Sequence, residues 1–86
     1  MNLKELLEQE IVTENVEIYA DCEDYGYGPY LDKKHLVGKI LRQFIGQPVT
    51  VMQALDLEAK TGIDILNKKV ESICGVGTGK VAIAVK

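Results

Sequence analysis

The residues whose spacing comes nearest to a phosphate-binding loop are the glycines and the lysine of Gly75–Lys80. A Walker loop needs four residues between its first glycine and the Gly-Lys pair, then Ser or Thr, then a helix whose N-terminus meets the phosphate. Here only three residues intervene, and an alternating strand pattern, Val81–Val85, follows the lysine directly. We therefore interpret the segment as the turn of a β-hairpin. An anion nest around Gly77, Gly79 and Lys80 is the alternative.

A second group that could contact phosphate is the basic face of a predicted helix that carries Lys34, Lys39 and Arg42. The connection 46–49 to the following helix resembles the spacing of a helix-turn-helix. The following helix, however, displays two acids and neither of the usual base readers, arginine and asparagine. The sequence pI of about 5.0 also disfavours a nucleic-acid ligand. We therefore predict that sequence-specific DNA is not the partner.

Catalytic signatures are missing from this sequence. His35 is the sole histidine, and no serine or cysteine nucleophile stands in a recognisable relation to it. Clustered carboxylates in a loop suit a hard cation, but their order here matches no EF-hand. We predict a protein that is not an enzyme and that needs no cofactor or metal. A cation site would draw on Asp21, Glu23, Asp24 and His35.

The two cysteines fit neither a redox nor a zinc motif. Cys22 and Cys74 lie far apart in the sequence and form no CxxC pair. Each ends a run of alternating apolar residues, which is typical of small buried thiols. We predict two reduced cysteines in the core.

The stretch 21–30 is the strongest candidate for a recognition surface. It holds three of the four tyrosines and three of the thirteen acids, and its two glycines and one proline rule out a regular helix. Tyrosine in a loosened loop offers a large contact area at low entropic cost, with a polar hydroxyl at its tip. The alternative is that the tyrosines only pack the loop onto the domain. The predicted binding residues are Asp21, Glu23, Asp24, Tyr25, Tyr27 and Tyr30.

Charge is distributed unevenly along the chain. Residues 1–24 hold eight acids and one base, whereas residues 25–86 hold nine bases and five acids. The simplest interpretation is two oppositely charged surfaces that attract each other across a compact fold. An acidic surface for a basic partner, or a dipole that favours self-association, is the alternative.

These observations favour a small non-enzymatic protein–protein interaction or regulatory module whose contact surface is the acidic Tyr/Gly-rich loop. One alternative is an acidic inhibitor that mimics nucleic-acid phosphates. Another is a small-ligand binder, in which tyrosines stack on a nucleotide base while Gly75–Lys80 or the basic helix holds phosphate. No apolar run reaches the ~18 residues of a membrane helix, and no signal-peptide pattern is present. We expect a cytoplasmic protein with a protein partner. Self-association through the strand 81–85 is a further expectation.

The first part of the chain predicts a helix and then a strand. Asn2 and Glu5 have the spacing of a capping box, and leucines at helical spacing follow, so we place a helix at 3–11. Strict alternation of apolar and polar residues then predicts a half-buried strand at 15–22.

The middle of the chain predicts two further helices. The first spans 33–45, with Asp32 as its cap, and its apolar stripe consists of Leu36, Val37, Ile40, Leu41, Phe44 and Ile45. Residues 49–62 fit either a strand or a helix, and we choose a helix at 51–61. Thr50 and Gln53 would form its capping box, and Gly62 would end it. Its predicted inner face is Val51, Met52, Leu55 and Ala59.

The remaining residues predict antiparallel strands. A short strand is expected around Ile63 and Ile65, a second at 70–74, and a last one after the glycine-rich turn at 75–79. The small residues Ala82 and Ala84 predict a face that lies close under a helix. The fold class is therefore α+β, in one domain over residues 1–86. Three helices would pack on one face of a mostly antiparallel sheet of three to four strands.

Overall fold

The computed structural model describes residues 1–8, 15–24, 26, 28–41 and 49–86. In chain order the elements are α1 (Leu3–Glu8), β1 (Asn15–Ala20), a 3₁₀ turn (Lys33–His35), β2 (Leu36–Ile40), α2 (Val49–Thr61), β3 (Val70–Gly77) and β4 (Lys80–Val85). The strands form one four-stranded sheet in the order β2-β1-β4-β3. The outer pairs, β1 with β2 and β3 with β4, are antiparallel, whereas β1 and β4 are parallel. The α+β class is confirmed, and the sheet is mixed.

Both helices cover the same face of this sheet. Side chains that alternate along β1 and β4, among them Ile18 and Ile83, form one cluster with Leu3 and Leu6 of α1 and Ala54 of α2. Burial of apolar side chains of this size supplies roughly 1.5–3 kcal/mol each. We call this side of the sheet the helical face.

The opposite side of the sheet, which we call the open face, is covered only in part. Tyr19 and Ala82 are buried there beneath Leu31, from the segment between β1 and β2, and Leu36, the first residue of β2. The small residue Ala84 is also buried and lies on this same face, opposite Tyr19 in the register. The prediction that the two alanines lie under a helix is therefore wrong for the described helices, because both of these pack on the other face.

The predicted helix at 33–45 is wrong over its first half. Asp32 does act as a cap, because its side chain accepts a hydrogen bond from the Lys34 N–H. The capped element, however, is a three-residue 3₁₀ turn, and the chain then enters β2. Gly38, which is about 1 kcal/mol less favourable than alanine in a helix, lies at the centre of β2. Pairing with β1 satisfies the backbone there, and Phe44 and Ile45 lie outside the described residues.

The start of the first helix agrees with the prediction. The Asn2 side chain accepts from the Glu5 N–H at 2.8 Å, and Glu5 accepts from the Asn2 N–H at 3.3 Å, so the capping box is present. The expected last turn, at 9–11, lies outside the described residues. With β2 in place of a helix, the described residues contain two α-helices rather than three.

The helix predicted at 51–61 is confirmed, but its inner face and its start are different. Because α2 begins at Val49, Thr50 lies inside the helix and is not its cap. The Gln53 side chain instead bonds the backbone of Leu41, accepting at 2.8 Å and donating at 2.7 Å. Ala54 is buried, whereas Met52 is 65% exposed. Gln53 therefore fastens α2 to the end of β2.

The C-terminal part corrects three predictions. Residues 62–65 are irregular rather than a strand, β3 continues to Gly77, and the turn narrows to Thr78–Gly79. The last strand does form, but it is central rather than exposed, because β1 and β3 pair with its two sides. The edges of the sheet are β2 and β3. Within the described residues, no helix has the length and apolar character that crossing a membrane requires.

Candidate functional site

The loop predicted to mediate recognition is a small hydrogen-bonded hairpin. Asp24 and Pro29 form an antiparallel bridge, and the Tyr30 N–H donates to the Glu23 carbonyl at 2.7 Å. Gly26, which has a φ of 92°, donates its N–H to the Asp24 carboxylate at 2.8 Å. A positive φ of this size is easily adopted by glycine alone. Backbone hydrogen bonds thus join the two ends of this loop, 23–30, and we call the loop the acidic hairpin.

The acidic hairpin is attached to the sheet by apolar residues on its two sides. Cys22 before it and Leu31 after it join the cluster around Tyr19 on the open face. The Asp32 N–H then donates to the Tyr30 carbonyl at 2.9 Å. The hairpin is therefore held at its base by apolar residues on both sides and by this backbone bond.

The predicted binding residues differ in their exposure. Tyr30 is 59% exposed, and the side chains of Glu23 and Asp24 are exposed as well. Asp21 has a positive φ of 56° and pairs with Lys68 at 3.4 Å, so it helps to hold the start of the hairpin. Tyr25 and Tyr27 lie outside the described residues. Whether those two tyrosines pack or contact a partner stays a prediction.

Buried groups beneath the hairpin experience a negative environment. Burial raises the pKa of the Cys22 thiol, and the charges of Glu71, Asp21 and Asp32 raise it further. Burial likewise raises the pKa of the Tyr19 hydroxyl, with a further contribution from Glu17. Both groups are neutral at physiological pH, and neither has the character of an activated nucleophile.

The two cysteines are both reduced, but they lie in different environments. Cys22 is buried, as predicted, whereas Cys74 on β3 is exposed, which contradicts the prediction of two core thiols. The edge position of β3 explains the difference: Cys74 lies opposite Ala82 on the open face, away from both described helices.

The predicted anion-binding residues fall into two separate groups. The register places Lys34 near the end of β1 that pairs with Leu36, while Lys39 lies beside Glu17 toward the other end. Lys80 also lies at that other end, opposite Asn15, and Gly77 and Gly79 belong to the same hairpin. Arg42 lies outside the described residues.

A feature that the sequence did not single out is the carboxylate pair at the end of α2. The Glu58 carboxylate accepts from the N–H groups of Ile65 and Leu66 at 2.8 and 3.2 Å. Hydrogen bonding with the side chains of Glu58 and Asn67 lowers the pKa of the Asp64 carboxyl. Gly62 ends α2 just before Asp64. A glutamate one turn before a helix-ending glycine was therefore a sequence signal for the hydrogen bonds that join Glu58 to residues 65 and 66.

The described residues give little support for a metal centre. Among the residues that the structure describes, no three histidine, cysteine, aspartate or glutamate side chains gather closely enough to hold an ion. The proposed ligands Asp21, Glu23, Asp24 and His35 are therefore not brought together. The helix-turn-helix alternative also fails, because β2 stands where its first helix would lie.

Comparison of the chain with protein-family models, with curated proteins and with solved structures gave no match.

Proposed function

We propose that this protein is a small, non-enzymatic protein–protein interaction module that uses the acidic hairpin as its contact surface. The observation that carries the proposal is a backbone-braced hairpin whose Tyr30 side chain is 59% exposed. Tyrosine is enriched at the energetic centres of protein interfaces. A loop whose two ends are already joined by hydrogen bonds also loses less conformational entropy on binding than an unbonded loop does.

The charge around Tyr30 indicates the kind of partner. Glu23 and Asp24 are exposed beside it, and both would be expected to face basic groups across an interface. The partner we propose is a protein surface that combines an apolar cleft for the tyrosine ring with flanking lysine or arginine side chains.

Two alternative functions have less geometric support. A mimic of nucleic-acid phosphates needs its carboxylates in a row, yet Glu5 lies on α1, Glu17 on the open face, and Asp21 is paired with Lys68. A nucleotide site that joins the loop to Lys80 needs both at one place. They are attached at opposite ends of β1, which is roughly 17 Å long by strand geometry.

The test compares capture of partners by the wild-type protein and by Tyr30→Ala. Met52→Ala is a matched control, since Met52 is 65% exposed on α2, away from the hairpin. Each variant is first shown to unfold at the wild-type urea concentration. We expect a partner, from cells that naturally produce the protein, to bind the wild type and Met52→Ala and to be lost with Tyr30→Ala.

The same capture is repeated with Tyr25, Tyr27 and Tyr30 all changed to alanine, and at low and high salt. Because the acids of the hairpin are exposed, binding should weaken as salt screens them. If every partner binds the triple variant as well as the wild type, the hairpin is a structural feature and the proposal is wrong.

A further inference from the structure

Two lysines from different strands lie on either side of β1 on the open face. Lys39 of β2 pairs with Glu17, and Lys80 of β4 pairs with Asn15. Because Asn15 and Glu17 are two residues apart, their side chains point to the same face of the sheet. Partnered residues share a face as well, so both lysines project from the open face at the same end of the sheet.

Strand geometry sets the distance between the two lysines. Neighbouring strands lie about 4.8 Å apart and each residue advances about 3.3 Å, which places the two Cα atoms roughly 12 Å from each other. Both side chains have long flexible stems with three donors at the tip. The two ammonium groups can therefore meet above β1, near Glu17.

Neither lysine forms a close ion pair in the described part of the chain, although Glu17 lies opposite Lys39. The ion pairs there join Lys4 to Glu8 and Lys68 to Asp21, and neither of them involves Lys39 or Lys80. Both lysines are also exposed, so their ammonium groups are available to a ligand from solution.

The two lysines line a common groove. Its volume is about 240 Å³, and it is lined by Asn15, Val16, Glu17, Lys39, Leu41 and Lys80. Sites for drug-sized ligands span about 300–1,000 Å³, so this groove suits a smaller molecule. Two positive charges against one negative charge favour an anion, and the Glu17 carboxylate can accept a hydrogen bond from a hydroxyl group of the same ligand.

We propose that this groove binds a small phosphate monoester that carries hydroxyl groups, of the sugar phosphate class. Lys39 and Lys80 hold the phosphate from two sides, and Glu17 between them accepts a hydrogen bond from a sugar hydroxyl. Leu41 forms an apolar wall beside them. The site is independent of the acidic hairpin, which is attached at the other end of β1.

The first test measures the binding of inorganic phosphate and of ribose 5-phosphate by isothermal titration, with ionic strength held constant by chloride. The variants are Lys39→Met and Lys80→Met, with Lys34→Met as a matched control that removes the same charge at the opposite end of the sheet. We expect each groove variant to weaken both ligands about three- to tenfold, since each removes one close charge pair near the surface. Lys34→Met should bind like the wild type.

The second test uses Glu17→Gln to separate the two halves of the site. Removing the negative charge should tighten inorganic phosphate about threefold, because the repulsion between Glu17 and phosphate is lost. The same change should give ribose 5-phosphate a smaller gain, because it also replaces the charged acceptor for the sugar hydroxyl with the weaker amide oxygen of glutamine. Equal tightening of both ligands would show that Glu17 does not recognise the sugar.

Three outcomes would overturn the site. The first is the absence of saturable binding of either ligand to the folded wild type. The second is an equal loss of binding in Lys34→Met and Lys39→Met, which would indicate a general charge effect. The third is a single-stranded oligonucleotide that binds more tightly, per phosphate, than ribose 5-phosphate does. That result would assign the groove to a nucleic-acid backbone. Far-UV circular dichroism of every variant excludes loss of the fold as the cause.

Discussion

Replacing Gly38 by alanine tests how closely α2 packs on the sheet. Gly38 lies in β2, directly beneath Leu57 of α2. A Cβ atom built at Gly38 would overlap the Leu57 Cδ2 atom, and it would lie 3.1 Å from Cδ1 and 3.3 Å from Cγ. The glycine is therefore required here by space. Any side chain at this position must displace Leu57 or push the helix away from the sheet.

The expected loss of stability follows from two opposing contributions. An additional methyl group in a packed contact costs about 1–3 kcal/mol. Alanine in place of glycine within a strand recovers roughly 0.5–1 kcal/mol of backbone entropy. Since Leu57 is only partly buried and can rotate, we expect a net loss of about 1 kcal/mol. In a domain of this size, such a loss lowers Tm by about 4–8 °C.

Gly75→Ala is the matched control. Gly75 is also a strand glycine, but a Cβ atom there would have nothing within 4 Å, and its φ is not positive. We expect this variant to be as stable as the wild type or up to about 1 kcal/mol more stable. Urea unfolding followed by circular dichroism at 222 nm measures both variants.

A double-mutant cycle with Leu57→Ala decides whether the cause is the contact itself. If Leu57 causes the loss, Gly38→Ala should be neutral or stabilise the domain by up to about 1 kcal/mol once the leucine is shortened. The coupling energy should then equal the original loss plus that gain. An unchanged cost in the Leu57→Ala background would refute the packing explanation. So would a Gly38→Ala variant that is as stable as Gly75→Ala.

Three further predictions concern single side chains. Ile40→Asp should prevent folding, because Ile40 is only 1% exposed. Leu36→Asp should leave a folded but less stable domain, because Leu36 is only partly buried and lies on the other face. Urea unfolding detects this loss of stability. A thiol reagent should modify the exposed Cys74 rapidly and should reach the buried Cys22 only after denaturation. Rapid modification of both cysteines would contradict the buried position of Cys22. The pKa of Asp64 is lower in the folded state than in the unfolded chain. The ionised carboxylate therefore stabilises the fold at neutral pH, and this stabilisation disappears as the pH falls through the lowered pKa. Asp64→Asn should therefore flatten the loss of stability below about pH 4 in urea titrations at several pH values.

Local patterns predicted those elements in which one period dominates the sequence. The alternation through Val16 and Ile18 identified β1, and the alternation through Ile83 identified β4. The Asn2 and Glu5 pair identified the start of α1, because a capping box needs only residues that are near in sequence. Each of these signals depends only on residues close in sequence, and the structure contains the element that each one predicted.

The failure at β2 has a physical reason. The residues Leu36, Val37 and Ile40 fit a helical stripe, but a bulge in the pairing with β1 places Val37 and Ile40, which are three positions apart, on the same face of the sheet, with Leu36 on the other face. Without the bulge, residues three positions apart in a strand would face opposite sides. A bulged strand can thus resemble helical periodicity. Gly38 was the local signal against a helix.

The groove between Lys39 and Lys80 could not be predicted as a unit. The lysines were identified as separate candidates, one on a supposed helix and one in a turn. Their proximity depends on the strand order, which places β1 between β2 and β4. No local pattern encodes which distant strand becomes the parallel neighbour of β1. The exposed Cys74 has the same origin, because its edge position follows from that order.

The parallel pairing of β1 with β4 also has a consequence during protein synthesis. Val16 pairs with Val81, so 65 positions along the chain separate the partners, and β4 leaves the ribosome after the other three strands of this sheet. At about 5–20 residues per second, β1 waits roughly 3–13 s for the strand that completes its hydrogen bonding. During this interval one side of β1 is an unpaired edge that displays Val16 and Ile18. The nascent chain should therefore be most prone to aggregation, and most dependent on chaperones, just before β4 emerges.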